Sequence, residues 1–315
     1  MTIPTESYLR VHYELRPAKQ VERRMIIDAL QLLSLAGFEI RDYQYTGMGS
    51  IYFVDFILFH KLLGISRMLC VEHAAQITKR MRFNKPFDCI QVEMKPIGDI
   101  IPTLSREFKH LLWLDYDSIV CRSHLADIAL AATYLTPGSL LLLTLDVEPP
   151  GADTDGPKEW REYFFEEAGD YLSPALKVQD FARSKLPEIH IRIVERALRT
   201  GLVGRDAVEF LPLFNFLYAD GHQMLTLGGL IGTAVDRRKI RGSHLDNVNY
   251  IRLDLRDGPY DIKVPALTRK ERLALDASMP CAAKWKPKNF ELSPEDVLAY
   301  REIYRFFPAY AELLL

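Results

Sequence analysis

The sequence predicts an α/β fold: a mostly parallel seven-stranded sheet with helices on both faces and an antiparallel hairpin at its C-terminal end. Three observations predict it. Between residues 38 and 145, short apolar runs alternate with helix-length segments, the rhythm of βα units joined by crossovers. The run Ser139-Leu-Leu-Leu-Leu-Thr-Leu145 is apolar at nearly every position, as expected of a strand buried on both sides. A last pair of apolar runs, 209–218 and 223–227, flanks Ala219-Asp-Gly-His222, and Asp-Gly between two such runs signals a hairpin.

Taken in order, residues 8–36 read as a helical preface. Pro17 suits a first helical turn, and Val21, Met25, Ile26, Leu30 and Leu33 recur at helical spacing up to Gly37. Arg16, Lys19, Arg23 and Arg24 lie on the same segment and are expected to form a solvated face, with a phosphate-facing or substrate-facing cluster as the alternative. Strands are then predicted at 38–45, 67–71, 88–94, 110–114 and 140–145. Helices are predicted at 51–63, 74–81, 100–108 and 123–134.

Residues 147–208 break the rhythm, with a Pro- and Gly-rich loop and then a charged helical stretch. The expectation is an insertion over the sheet's active edge, where substrate lids are often built. Beyond Arg237 a tail is predicted to hold a hairpin around Asp257-Gly258 and helices at 268–276 and 293–314, the last capped by Ser293. The expected organisation is a preface at 1–36, a main domain at 37–240 with the insertion at 150–208, and an extension at 241–315 packed on that domain.

Composition narrows the class. With 48% hydrophobic and 26% charged residues the chain can bury a sizeable core. Its 40 basic and 42 acidic side chains nearly cancel, which gives no global attraction to nucleic acid, although a local basic face stays open. The four cysteines lack a Cys-x-x-Cys pair, so free thiols in a reducing compartment are expected. No secretory signal is visible, and no apolar run is long enough to span a bilayer. A cytoplasmic protein with no membrane partner is expected.

The candidate site centres on Tyr43-Gln-Tyr-Thr-Gly-Met-Gly-Ser50 and Met68-Leu-Cys-Val-Glu72. A strand running into Gly47 and Gly49 lets backbone approach a ligand closely. A second strand ending on Glu72, one βαβ unit later, can grip a ribose diol. The third glycine of a dinucleotide fingerprint is absent, since Tyr52 occupies its place.

Five parallel βα units followed by an antiparallel hairpin resemble the Rossmann-like fold of class I S-adenosylmethionine-dependent methyltransferases. Between residues 72 and 151, Glu72-His-Ala-Ala-Gln-Ile-Thr-Lys-Arg-Met81, Gly98-Asp-Ile-Ile-Pro-Thr-Leu104, Trp113-Leu-Asp115 and Leu145-Asp146 resemble motifs of catechol-type O-methyltransferases. The resemblance implies that S-adenosylmethionine is the cofactor. Gly47, Gly49 and Ser50 would line its methionine and ribose end, with Tyr52 near enough to meet it. Glu72 would take the ribose hydroxyls, and Asp99 and His73 would lie toward the adenine. Those enzymes hold magnesium with an acid after strand four and an Asp-Asn pair after strand five. Asp115 and Asp146 match the two acids, but Val147 replaces the Asn, and a hard cation needs several oxygen ligands.

Methyl transfer needs a positioned nucleophile and, for a hydroxyl, a proton acceptor. Asp115 is the first candidate for base or acceptor ligand, and Asp117 the second. Local alternatives exist for each residue: a tight turn for the glycines, helix capping for Glu72 and Asp99, and an exposed turn for His222. The expected activity is O-methyl transfer to a small molecule or other acceptor that the sequence does not name. The alternatives are a non-catalytic cofactor-binding protein, a nucleic-acid base N-methyltransferase and a nucleotide-dependent oxidoreductase.

Overall fold

The computed structural model describes residues 15–152, 154–282 and 284–308. Helix α1 (Pro17–Leu35) precedes the sheet. The parallel part consists of β1 (Gln44–Met48), α2 (Val54–Leu63), β2 (Arg67–Val71), α3 (Thr78–Asn84), β3 (Ile90–Glu93), the single turn α4 (Ile97–Ile100), β4 (His110–Ile119), α5 (Arg122–Tyr134) and β5 (Ser139–Asp146). Helices α6 (Pro157–Ala168) and α7 (Leu186–Leu202) lead to the hairpin β6 (Glu209–Ala219) and β7 (Gln223–Gly232). Helix α8 (Ala234–Gly242), strand β8 (Tyr260–Ile262), α9 (Arg269–Asp276) and α10 (Pro294–Ile303) follow.

The strands lie in the order β3-β2-β1-β4-β5-β7-β6-β8. Strands β1 to β5 are mutually parallel, and β7 runs antiparallel to both β5 and β6. This arrangement, with its hairpin inserted at the β5 side, is the Rossmann-like methyltransferase fold expected from the sequence. The order also brings the C-terminal ends of β1, β2, β3, β4 and β5 to one edge, which is where ligands bind in open α/β sheets.

Among the described residues the sheet has eight strands, not seven. In place of a hairpin around Asp257-Gly258, a 3₁₀ turn at Leu255–Asp257 ends on Gly258 at φ 75°, and β8 then pairs parallel to β6 at Phe216, Leu217 and Tyr218. Only three residues long, β8 has no alternation to read. Its pairing covers part of an edge that would otherwise stay open.

Alternation along the strands sorts the core into two layers. Leu140 and Leu142 of β5 pack with α1 and α2, while Leu141, Leu143 and Leu145 pack with α5 and α7. All eight β5 positions are buried. Helix α7 is therefore a crossover on the sheet face rather than a lid over the active edge. Its Gly201 lies so close to α5 that a Cβ there would sit 2.1 Å from the Ala129 carbonyl oxygen.

Other boundaries moved for local reasons. Strand β1 begins at Gln44 because Ile40–Asp42 forms a 3₁₀ turn. The helix expected over 100–108 gives way to the turn α4 and a 3₁₀ turn at Ile101–Thr103, where Pro102 has no N–H to donate. Strand β4 runs on to Ile119, through a register shift, because it keeps pairing with β5 as far as Asp146.

Candidate active site

The glycine loop is shaped by the chain's own packing. Gly47 lies between Cys70 of β2 and Trp113 of β4. A Cβ on Gly47 would sit 2.3 Å from the Tyr45 hydroxyl, and one on Gly49 would sit 2.7 Å from Cys70 Sγ and 2.8 Å from Met81 Cε. The Gly49 N–H donates to the Val71 carbonyl at 2.6 Å, and Ser50 Oγ accepts the Tyr52 N–H at 3.3 Å. Phe53 then takes a left-handed conformation, φ 51°, immediately before α2. These contacts fold a tight turn over the end of β1 and tie it to β2.

Glu72 follows the last residue of β2. Its Oε1 accepts the backbone N–H groups of His73 and Ala74 at 2.8 and 2.9 Å. Oε2 has no hydrogen-bond partner among the described residues. The carboxylate thus fastens the loop that follows β2, next to Val71, whose carbonyl accepts the Gly49 N–H. His73 is exposed, with Nδ1 3.4 Å from Glu72 Oε1. Asp99 is exposed at the third position of α4, whose N-cap is Pro96, so it is not the cap.

The arrangement around Asp115 was not legible in the sequence. Lys19 Nζ of α1 lies 2.8 Å from Asp115 Oδ1 and 3.0 Å from Glu22 Oε2. The ammonium is also 3.4 Å from Thr144 Oγ1, and 4.5 and 5.6 Å from the ring centroids of Trp113 and Tyr218. The side chains of Lys19 and Glu22 are 1% and 0% exposed. Thr144 Oγ1 in turn receives the Trp113 indole N–H at 3.0 Å and bonds Thr226 Oγ1 at 2.8 Å. Arg23 pairs with Asp55 of α2.

Lys19 and Arg23, expected on a solvated face, are therefore buried ion-pair partners. The signal was present in their spacing: positions 19, 23, 26, 30 and 33 form one helical stripe, so the charges continue the apolar face.

The electrostatics follow. Burial works against the Lys19 ammonium, but Asp115 and Glu22 outweigh it and hold its pKa above the ordinary value. Burial would raise Asp115, yet Lys19, Arg23 and Arg16 hold it below the usual carboxylate range. Burial pushes Glu22 up, and Lys19 offsets this only in part. Asp115 is thus a fixed anion and a poor place to leave a proton.

A second pair stands two residues further along β5. His222 Nδ1, in the hairpin turn, is 3.1 Å from Asp146 Oδ2, while Asp146 Oδ1 accepts the Glu148 N–H at 2.8 Å. Burial pushes the Asp146 carboxyl up against these two partners. In a neutral ring, a carboxylate neighbour favours the proton on Nδ1, which leaves the lone pair on Nε2. The His222 side chain is 75% exposed. Its exposure matches expectation; its bond to Asp146 does not follow from an exposed turn. Glu148 accepts the Gln223 N–H at 3.1 Å and meets Arg183, joining hairpin and insertion. Asp117 is exposed, and its charge acts on His124 of α5 rather than on the Lys19 cluster.

The two acids matched to a metal in the sequence do not fit one. Asp115 is taken by an ammonium and Asp146 by an imidazole and a backbone amide. Val147 contributes no side-chain oxygen. Among the described residues, no group of three or more His, Cys, Asp or Glu side chains converges. A hard divalent cation requires more oxygen ligands than this.

A family model described as "Putative O-methyltransferase" matches residues 11–315. The chain belongs to this O-methyltransferase family. Among solved structures, the family member resembles the N-methyltransferase NodS from Bradyrhizobium japonicum WM9, with 12% identity over 66% of this chain and 96% of that one, at a TM-score of 0.35. It also resembles an O-methyltransferase family protein from Burkholderia thailandensis, with 11% identity over 67% and 60% of the two chains, at a TM-score of 0.34. Likenesses this weak do not identify an acceptor. No curated protein sequence matches the chain significantly. Among the described residues no helix is long and apolar enough to cross a membrane.

Proposed function

We propose that this methyltransferase uses S-adenosylmethionine to methylate a hydroxyl oxygen, in the crevice at the C-terminal edge of β1 to β5. The observation that carries the reading is Glu72, fixed by two backbone amides at the end of β2, one residue after the Val71 carbonyl that takes the Gly49 N–H. In this reading Glu72 takes the ribose hydroxyls. Gly47, Gly49, Ser50 and Tyr52 line the methionine and ribose end, and His73 and Asp99 edge the adenine.

When bound, the cofactor supplies an electrophilic methyl group on a leaving sulfur that needs no acid. The protein's work lies on the acceptor side. Asp115, held as an anion by Lys19, accepts a hydrogen bond from the acceptor hydroxyl and orients its oxygen. His222 Nε2 receives the hydroxyl proton as the oxygen–carbon bond forms, and Asp146 steadies the resulting imidazolium. A base whose ring is fixed by a carboxylate is the arrangement that general-base catalysis requires. Positioning then supplies the rest, since the reacting atoms must be held in line.

A crystal structure with S-adenosylhomocysteine tests this placement. The sulfur is expected to face Asp115 and His222 with the ribose on Glu72; a ligand bound away from β1 and β2 would overturn it. Replacing His222 by Ala should leave S-adenosylmethionine affinity unchanged and lower turnover of hydroxyl acceptors by about 100-fold or more.

A further inference from the structure

The crevice carries its own cation. The polar atoms around Lys19 Nζ form a built site for an ammonium: Asp115 Oδ1 at 2.8 Å, Glu22 Oε2 at 3.0 Å and Thr144 Oγ1 at 3.4 Å, with the Trp113 and Tyr218 rings beside it. Helix α1 delivers this side chain by two anchors. Asp220 of the hairpin turn binds the backbone N–H groups of Ala18 and Lys19, and Arg23 pairs with Asp55. The Lys19 side chain is almost fully buried, whereas that of Asp115 is 22% exposed. Asp115 is therefore the accessible partner of a buried positive charge.

We infer that Lys19 replaces a divalent metal in this enzyme: its ammonium occupies the charge-balancing position on Asp115 and excludes a cation from the acceptor site. The inference rests on the proposed reading of the crevice as the acceptor site. Three things carry it. A metal on Asp115 would have to share that carboxylate with an ammonium already in contact with it, under the added fields of Arg23 and Arg16. Like charges at such separations repel strongly where water is scarce. The second acid, Asp146, spends both oxygens on His222 and on the Glu148 amide. The residue after it, Val147, is buried and apolar. Lys19 acts through Asp115, so it is a positioning residue rather than a catalytic one.

The test uses the full-length protein and Mn²⁺ alone, with free Mn²⁺ followed by electron paramagnetic resonance. Wild-type protein and Asp115→Asn are expected to give the same binding curve, because no ion uses Asp115. Lys19→Gln removes the charge and releases the three oxygens gathered on it, those of Asp115, Glu22 and Thr144, so it should gain one bound Mn²⁺ per chain, which the double variant Lys19→Gln/Asp115→Asn loses again. A merely structural lysine would not create a metal site when neutralised. One Mn²⁺ bound by the wild type and lost in Asp115→Asn would overturn the inference, and so would a folded Lys19→Gln that gains no ion. Should Lys19→Gln fail to fold, the comparison of wild type with Asp115→Asn decides alone. These measurements need no cofactor. Calorimetry with S-adenosylmethionine separately reports whether the crevice is a methyltransferase site at all.

Discussion

Asp220 caps the helix that carries Lys19. Its carboxylate accepts the Lys19 backbone N–H at 2.9 Å through Oδ2 and the Ala18 N–H at 3.0 Å through Oδ1, from more than 200 residues away in sequence. The first turn of α1 contains no acid of its own and no side-chain cap, so the hairpin turn supplies both the bond and the charge that a helix N-terminus favours. Asp220→Ala should cost about 1–2 kcal/mol of stability, measured by urea unfolding. Asp220→Asn, which keeps an acceptor, should lose less. An alanine variant as stable as the wild type would show that the cap contributes nothing.

Gly49 of the candidate cofactor turn sits against β2 and α3. Gly49→Ala would place a methyl group against Cys70 Sγ and Met81 Cε, and overpacking of this kind costs about 1–3 kcal/mol. Cys70→Ala opens part of that space. The double variant should therefore unfold at a higher denaturant concentration than the sum of the single effects predicts, which a double-mutant cycle measures. Strict additivity would mean that the turn moves away instead of pressing on Cys70.

The fold should lose stability in mild acid through buried histidine. His190 of α7 is fully buried, bonds the Leu186 carbonyl through Nδ1 at 2.8 Å and packs against the Phe164 ring. Burial pushes its pKa down from 6.5 to about 4. The unfolded chain therefore takes up a proton that the native state refuses, and the stabilisation is complete above pH 6.5 and lost as pH falls toward 4. By pH 5 the loss from this one group is about 2 kcal/mol. His124, pushed to about 4 by burial as well, adds to the slope. Denaturant midpoints at pH 7 and pH 5 should differ less in His190→Leu than in the wild type. Equal differences would place the acid sensitivity elsewhere.

Much of the fold was legible because its signals are local. The Leu140 to Leu143 run announced a two-sided strand, and Asp220-Gly221 announced the hairpin. Together they pointed to the sheet that forms. The glycine turn and Glu72 could be placed for the same reason, since strand ends bring them to one edge. What was not legible depends on distant partners. Strand β8 exists because the flank of β6 is available to pair. The continuation of β4 past Leu114 depends on pairing with β5. Lys19 and Glu22 look like surface residues until Asp115, Thr144 and Trp113 are set beneath them, and His222 looks like a turn residue until Asp146 is placed opposite it. Their common feature is a polar side chain whose partner lies on another element. Spacing along one helix gave the sole hint, at Lys19 and Arg23.

The central claim is that the edge around Gly49 and Glu72 binds S-adenosylmethionine, and isothermal titration calorimetry tests it most directly. The wild type is expected to bind one S-adenosylmethionine per chain. Glu72→Ala, which removes a charged hydrogen bond of about 1.5–3 kcal/mol, should bind it roughly 10- to 100-fold more weakly. Absence of binding at millimolar cofactor, or a Glu72→Ala variant that binds as tightly as the wild type, would contradict the account.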